Sequence, residues 1–177
     1  MFKINNILII CILVLPFFSI LFNFILVKSI SHPLDYLRYN YYFFYVIFVI
    51  SVLFSDKKTH KEFIMSILLL CIASFIILLT KYGKNIKINI IFLMPIIEEY
   101  LFRYILLRGS TNPFLLIAGA ISFGGLHYIG GWKEIISKSI IGIFLGIVFI
   151  YTKCLIICMI VHSVFNFIII KLKENSS

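Results

Sequence analysis

Apolar runs of about twenty residues recur along this chain, near 4–27, 40–55, 63–80, 88–107, 113–129, 135–151 and 154–170, and that recurrence limits the possible folds more than any motif. A helix of about twenty apolar residues crosses the roughly 30 Å of hydrocarbon in a bilayer, and it satisfies its own backbone polar groups while doing so. The expected fold class is therefore all-α, a polytopic membrane protein with about seven transmembrane helices, a count of six to eight being compatible with the run boundaries. Composition agrees, with 62% hydrophobic and 13% charged residues, far from a soluble domain. Lys3 before the first run imitates a signal peptide, but the run is too long and no Ala-x-Ala-like site follows, so a retained span is expected.

The formal charge of +9 comes mostly from Lys and Arg in the short connections, where they meet lipid headgroups and set orientation. A lipid bilayer is thus an expected partner and nucleic acid is not. Seven spans put the larger share of basic residues on the side of the C-terminus, which favours a cytoplasmic C-terminus. A multi-pass protein of a cell membrane is expected, and the Ile, Lys, Phe and Asn bias fits an AT-rich bacterial genome. Cys11, Cys71, Cys154 and Cys158 fall in or beside apolar runs without a CxxC pair and read as small core hydrophobes.

Local signals punctuate the runs. Pro16 bends the first span, and a neighbouring group is expected to satisfy the carbonyl it frees. "KSISHPLDYLRYN" reads as an interfacial connection, with His32 a loop residue. Gly109 suits a helix C-terminus, and Thr111 or Asn112 caps the next helix with Pro113 in its first turn. "IGGWKEIISKS" reads as a short interfacial stretch, and Gly142 with Gly146 forms a GxxxG for close helix packing.

Chemistry concentrates in "MPIIEEYLFR", Met94 to Arg103. A charge at a helix centre costs about 2.5 to 3.5 kcal/mol on insertion scales, so three of them need partners or a task. Glu99 and Arg103 are four residues apart on one helical face and form a natural ion pair. Glu98 lies about 140° from Arg103 around the helix and stays available. A carboxylate without a counter-ion in a partly dry pocket takes protons more readily than one in water, which suits a general base. In "SFGGLHY" His127 follows Phe123 by one turn, and in "VHSVFNF" His162 and Asn166 share a face. Polar groups on three separate spans find their cheapest partners in one another.

Glu-Glu-x-x-x-Arg at 98–103, Phe-x-x-x-His at 123–127 and His-x-x-x-Asn at 162–166 resemble the three motifs of the CPBP family, over about Ile88 to Ile170. That family comprises CAAX prenyl endopeptidases of the Ras-converting type and bacterial bacteriocin-processing and abortive-infection proteins. The resemblance implies an intramembrane glutamic endopeptidase that hydrolyses a membrane-associated peptide or protein, without cofactor or metal. It implies Glu98 as the water-activating base, His127 as the residue that positions or deprotonates that water, and His162 with Asn166 as the oxyanion pair. Glu99, Arg103 and Phe123 then hold the geometry. The chain divides accordingly into motif-free helices at 1–87, a catalytic core at 88–170 and a tail at 171–177. The expected cavity is water-filled and lined by Glu98, Glu99, His127, His162 and Asn166.

Other chemistries remain open from the residues alone. Glutamate and two histidines also suit a zinc peptidase, although no HExxH is present. Ser122 and Ser163 lack a Gly-x-Ser setting, and Asp35 and Asp56 are placed in loops, which disfavours serine and aspartyl proteases. A buried Glu, Arg and His set also suits a transporter, disfavoured by the short chain. A different class altogether is a non-enzymatic bacteriocin self-immunity or interaction protein of the same family.

Overall fold

The computed structural model describes residues 2–27, 33–54, 60–83 and 86–175, all of them helical or in short turns. His32, Asp56, most of the basic connection before residue 60 and the pair at 84–85 lie outside the described residues. In chain order the helices are α1 (Phe2–Leu13), α2 (Leu15–Val27), α3 (Pro33–Phe54), α4 (His60–Gly83), α5 (Ile86–Ile88), α6 (Met94–Glu99), α7 (Pro113–Gly125), α8 (Trp132–Thr152) and α9 (Leu155–Asn175). Two π-helical segments, Asn89–Leu93 and Tyr100–Ile105, flank α6. The all-α expectation holds.

The surface is inverted relative to a soluble protein. Ile140, Ile160, Ile121 and Phe17 face outward, while Glu98, Glu99, Arg103, His162 and Asn166 are buried. Among the described residues α8 and Leu155–Leu172 are long and apolar enough to cross a membrane, with shorter apolar stretches at Phe43–Leu53, Ile64–Ser74 and Pro113–Gly125. The expected seven crossings are therefore met by length and apolarity in two helices.

Several boundaries differ from expectation, each for a local reason. The first run is not one bent helix, because a turn at Val14 separates α1 from α2. Pro16 has no N–H for the Ile12 carbonyl, and Phe17 instead bonds back to Val14 at 3.0 Å. The Ser122 hydroxyl of α7 donates to the orphaned Ile12 carbonyl at 3.0 Å, the neighbouring donor that the bend required. α3 begins at Pro33 rather than at 40, so Asp35 sits in a first helical turn and not in a loop. α8 begins at Trp132, which makes most of the stretch read as interfacial its first turns. α9 continues through residue 175, so the start of the segment read as a tail is helical.

The α7–α8 hairpin is the tightest packing in the fold. Asn112 caps α7, its side chain accepting from the Phe114 N–H at 2.9 Å, and Gly109 takes φ +76° at the preceding turn. Across the hairpin a Cβ on Gly142 would lie 3.1 Å from the Ala120 Cα, and one on Gly124 would lie 2.5 Å from the Ile135 carbonyl oxygen. The small residues let the two backbones approach, as the GxxxG spacing suggested.

The motif-free helices frame the rest. Tyr100 packs edge-on against Phe48 of α3 at 5.0 Å between ring centres, and its hydroxyl lies 3.1 Å from that of Ser66 on α4. Arg108 pairs with Glu62 of α4 at 2.5 Å and bonds the Tyr104 hydroxyl at 2.9 Å. The segment 86–107 is thereby held from its lower-numbered neighbours on one side and from α7, α8 and α9 on the other.

Candidate active site

A proline shapes the helix that carries the glutamates. The Met94 N–H reaches back five residues to the Asn89 carbonyl, and the next carbonyl in that register, Ile90, faces Pro95, which has no N–H. Asn166 fills the vacancy: its Nδ2 donates to the Ile90 carbonyl at 2.9 Å. The π-helical register after Glu99 then re-aims the next turn, with Arg103 inside it. Such π turns cluster at functional sites because they open an α-helix without ending it.

The charges sit in the middle of the protein, with relative exposures of 3% for Glu98, 0% for Glu99 and 1% for both Arg103 and His162. Arg103 Nε lies 3.1 Å from Glu99 Oε2, the pair expected from the i, i+4 spacing. The contact is electrostatic rather than an aligned hydrogen bond, since neither atom meets hydrogen-bond geometry. The guanidinium also lies 5.2 Å from the centre of the Phe123 ring.

His162 joins the two glutamates. Its Nδ1–H donates to Glu99 Oε1 at 2.9 Å, and its Nε2 stands 3.6 Å from Glu98 Oε2. Phe123 lies edge-on to both histidine rings, 5.7 Å from His162 and 5.2 Å from His127, which makes it the apolar divider of the site. His127 is not inside a helix. It follows the end of α7, with its Nδ1–H donating to the Phe123 carbonyl at 3.1 Å. A carbonyl can only accept, so Nδ1 carries a proton, and in the neutral ring the other nitrogen is an acceptor.

Glu98, His127 and Asn166 line one cavity of about 410 Å³. Its walls are otherwise largely apolar, from Phe44, Ile90, Met94, Leu126 and Ile169 among others. Glu99 and His162, expected on the wall, are instead packed behind it and reach the cavity through Glu98. The tertiary fold thus brings all the singled-out residues together but gives them two depths.

Sequence reasoning missed or misassigned four participants. The Ile90 carbonyl has no side-chain signature, although Pro95 five residues later was the available signal. Ser122 was weighed as a nucleophile and serves as the donor to Ile12. Glu134 and Lys138 were read as part of an interfacial stretch and line the cavity, their i, i+4 spacing being the cue to a shared helical face.

The site brings together a buried carboxylate, two imidazoles and an amide around one cavity in a helical bundle, groups that can exchange protons and donate hydrogen bonds. Residues 86–168 match the family model described as Type II CAAX prenyl endopeptidase Rce1-like, so this part of the chain is similar to that family. The match covers nearly the same stretch on which the resemblance rested. Neither a curated protein nor a solved structure matches the chain.

Proposed function

We propose that this protein is a multi-pass intramembrane endopeptidase that cleaves a membrane-associated peptide or protein with water activated by Glu98. The observation that carries the reading is the convergence of Glu98, His127 and Asn166 on one cavity, with His162 fixed between Glu98 and Glu99. An Rce1-like segment over those residues supports a peptidase.

Peptide hydrolysis needs a base for water, donors for the oxyanion and a proton for the leaving amine. Glu98 is the carboxylate on the cavity wall not engaged by Arg103, so it takes the proton of a water held between it and the acceptor nitrogen of His127. His162, oriented by Glu99, presents Nε2 on the Glu98 side, where a proton passes to it or from it as charge develops. Asn166 spends one amide N–H on Ile90 and retains a second for the carbonyl oxygen of the scissile bond. Protonated Glu98 then returns its proton to the departing amine.

The test compares wild type and Glu98→Gln on membrane-associated peptides, with a chelator arm for wild type. Loss of about 10²-fold or more in kcat with the mutant, and resistance to chelation, is expected. Chelator sensitivity would transfer Glu98 and the histidines to metal ligation. Equal cutting by wild type and mutant sinks the mechanism, and a bacteriocin-protection phenotype that survives Glu98→Gln would make this a binding protein.

A further inference from the structure

The proline that precedes the glutamates governs a group on the cavity wall without standing there itself. Pro95 is buried near the start of α6, three residues before Glu98, and is not among the described residues that line the cavity with Ile90, Met94, Glu98 and Asn166. Just before it the helix runs in a five-residue register, the Met94 N–H bonding the Asn89 carbonyl. The same register would pair residue 95 with Ile90, and proline has no N–H to offer. The Asn166 Nδ2 takes that place at 2.9 Å.

A primary amide presents a donor on one side and an acceptor on the other, and its partners decide which way it is turned. The Ile90 carbonyl can only accept, so it holds the nitrogen of Asn166 toward itself and engages one N–H. The second N–H is left as a donor. An N–H at residue 95 would satisfy the Ile90 carbonyl within its own helix, and the Asn166 amide would be free to turn its oxygen where the nitrogen now stands. An oxygen there repels the negative oxygen that forms when water attacks a peptide carbonyl.

α9 has other anchors to the same segment. His162 bonds Glu99 at 2.9 Å, and Glu174 near the far end of α9 pairs with Lys87 of α5. The Asn166 bond to Ile90 lies between these two along α9, so its loss bears on the amide more than on the seating of the helix.

We propose that Pro95 is a positioning residue that acts through Asn166: by leaving the Ile90 carbonyl open, it fixes the orientation of the Asn166 amide and reserves the second N–H for the carbonyl oxygen of the scissile bond. The inference rests on the peptidase reading above. It gives one short segment two tasks, since Pro95 sets the donor on α9 and Glu98 supplies the base.

The experiment takes a peptide cut by wild type and not by Glu98→Gln, and measures kcat and KM for wild type, Pro95→Ala, Pro95→Ser, Asn166→Ala and the double variant Pro95→Ala with Asn166→Ala. Both replacements of Pro95 restore an N–H, and alanine is a strong helix former. Each should lower kcat by about tenfold with KM within about twofold, a smaller loss than the roughly 10²-fold or more of a deleted oxyanion donor. In the Asn166→Ala background, Pro95→Ala should change kcat by less than about twofold. Thermal midpoints of wild type, the two alanine variants and their double variant read the bond without turnover. Asn166→Ala should lower the midpoint by several degrees with proline at 95 and by less than half as much with alanine there. Where Asn166→Ala turns over too slowly to measure, the midpoints decide. Wild-type kcat in Pro95→Ala, a raised KM with kcat unchanged, or equal effects in both backgrounds would overturn the positioning role and leave the peptidase standing. Wild type that cuts nothing in any panel overturns both.

Discussion

The Nδ1 of His162 stands 2.9 Å from Oε1 of Glu99, and this buried bond links the last helix to the helix of the adjacent glutamates. Because Glu99 also faces Arg103 and Glu98 faces the cavity, neighbouring residues of the same type have separate tasks. In the proposed mechanism stability rests on Glu99 and chemistry on Glu98.

Replacing Glu99 by Ala strands the Arg103 charge in the interior and should destabilise by about 3 to 5 kcal/mol. Glu98→Gln keeps shape and volume at the cavity wall and should leave the thermal midpoint in detergent within a few degrees of wild type. Thermal unfolding of the two variants checks the division. Equal destabilisation would refute it.

The Ser122 bond to Ile12 makes a coupled prediction. Ser122→Ala leaves a buried carbonyl without a donor and should cost about 1 to 3 kcal/mol. In a Pro16→Ala background residue 16 regains an N–H that can reach Ile12 within its own helix, so the same substitution should cost less than half as much. A double-mutant cycle by unfolding measures the difference.

Gly124 and Gly146 both lie in the α7–α8 contact but meet different obstacles. A Cβ on Gly124 runs into backbone, the Ile135 oxygen at 2.5 Å and the Ser139 nitrogen at 2.9 Å. A Cβ on Gly146 meets the tip of the Leu116 side chain, which can rotate away. Gly124→Ala should therefore cost about 2 to 3 kcal/mol and Gly146→Ala about 1 kcal/mol or less. Thermal midpoints of the pair give the order, and the reverse order would place the tight approach elsewhere.

Lys153 closes α8 in the left-handed region at φ 53°, with its N–H bonded to the Phe149 carbonyl at 2.8 Å. Glycine removes the Cβ strain there and gives back part of the gain as unfolded-chain entropy, so Lys153→Gly should stabilise by about 0.5 to 1 kcal/mol. A rise in the thermal midpoint with unchanged activity is the expected result.

The amino-acid sequence by itself determined the helical class, because runs this long and apolar leave a bilayer-embedded backbone few alternatives. It also determined the Glu99–Arg103 pair and the caps around Pro113, since these depend on residues within about one helical turn. The cost of placing polar groups in apolar runs, with the spacing of the three motifs, marked Glu98, His127, His162 and Asn166 as belonging together. Only the tertiary structure decided who stands where. Which carboxylate reaches the cavity, which nitrogen of His162 faces which glutamate, and which side chains answer the carbonyls orphaned by Pro16 and Pro95 all depend on contacts between helices far apart in the chain. Helical periodicity tells which way a side chain points from its own axis, and the packing of neighbouring axes tells what it meets.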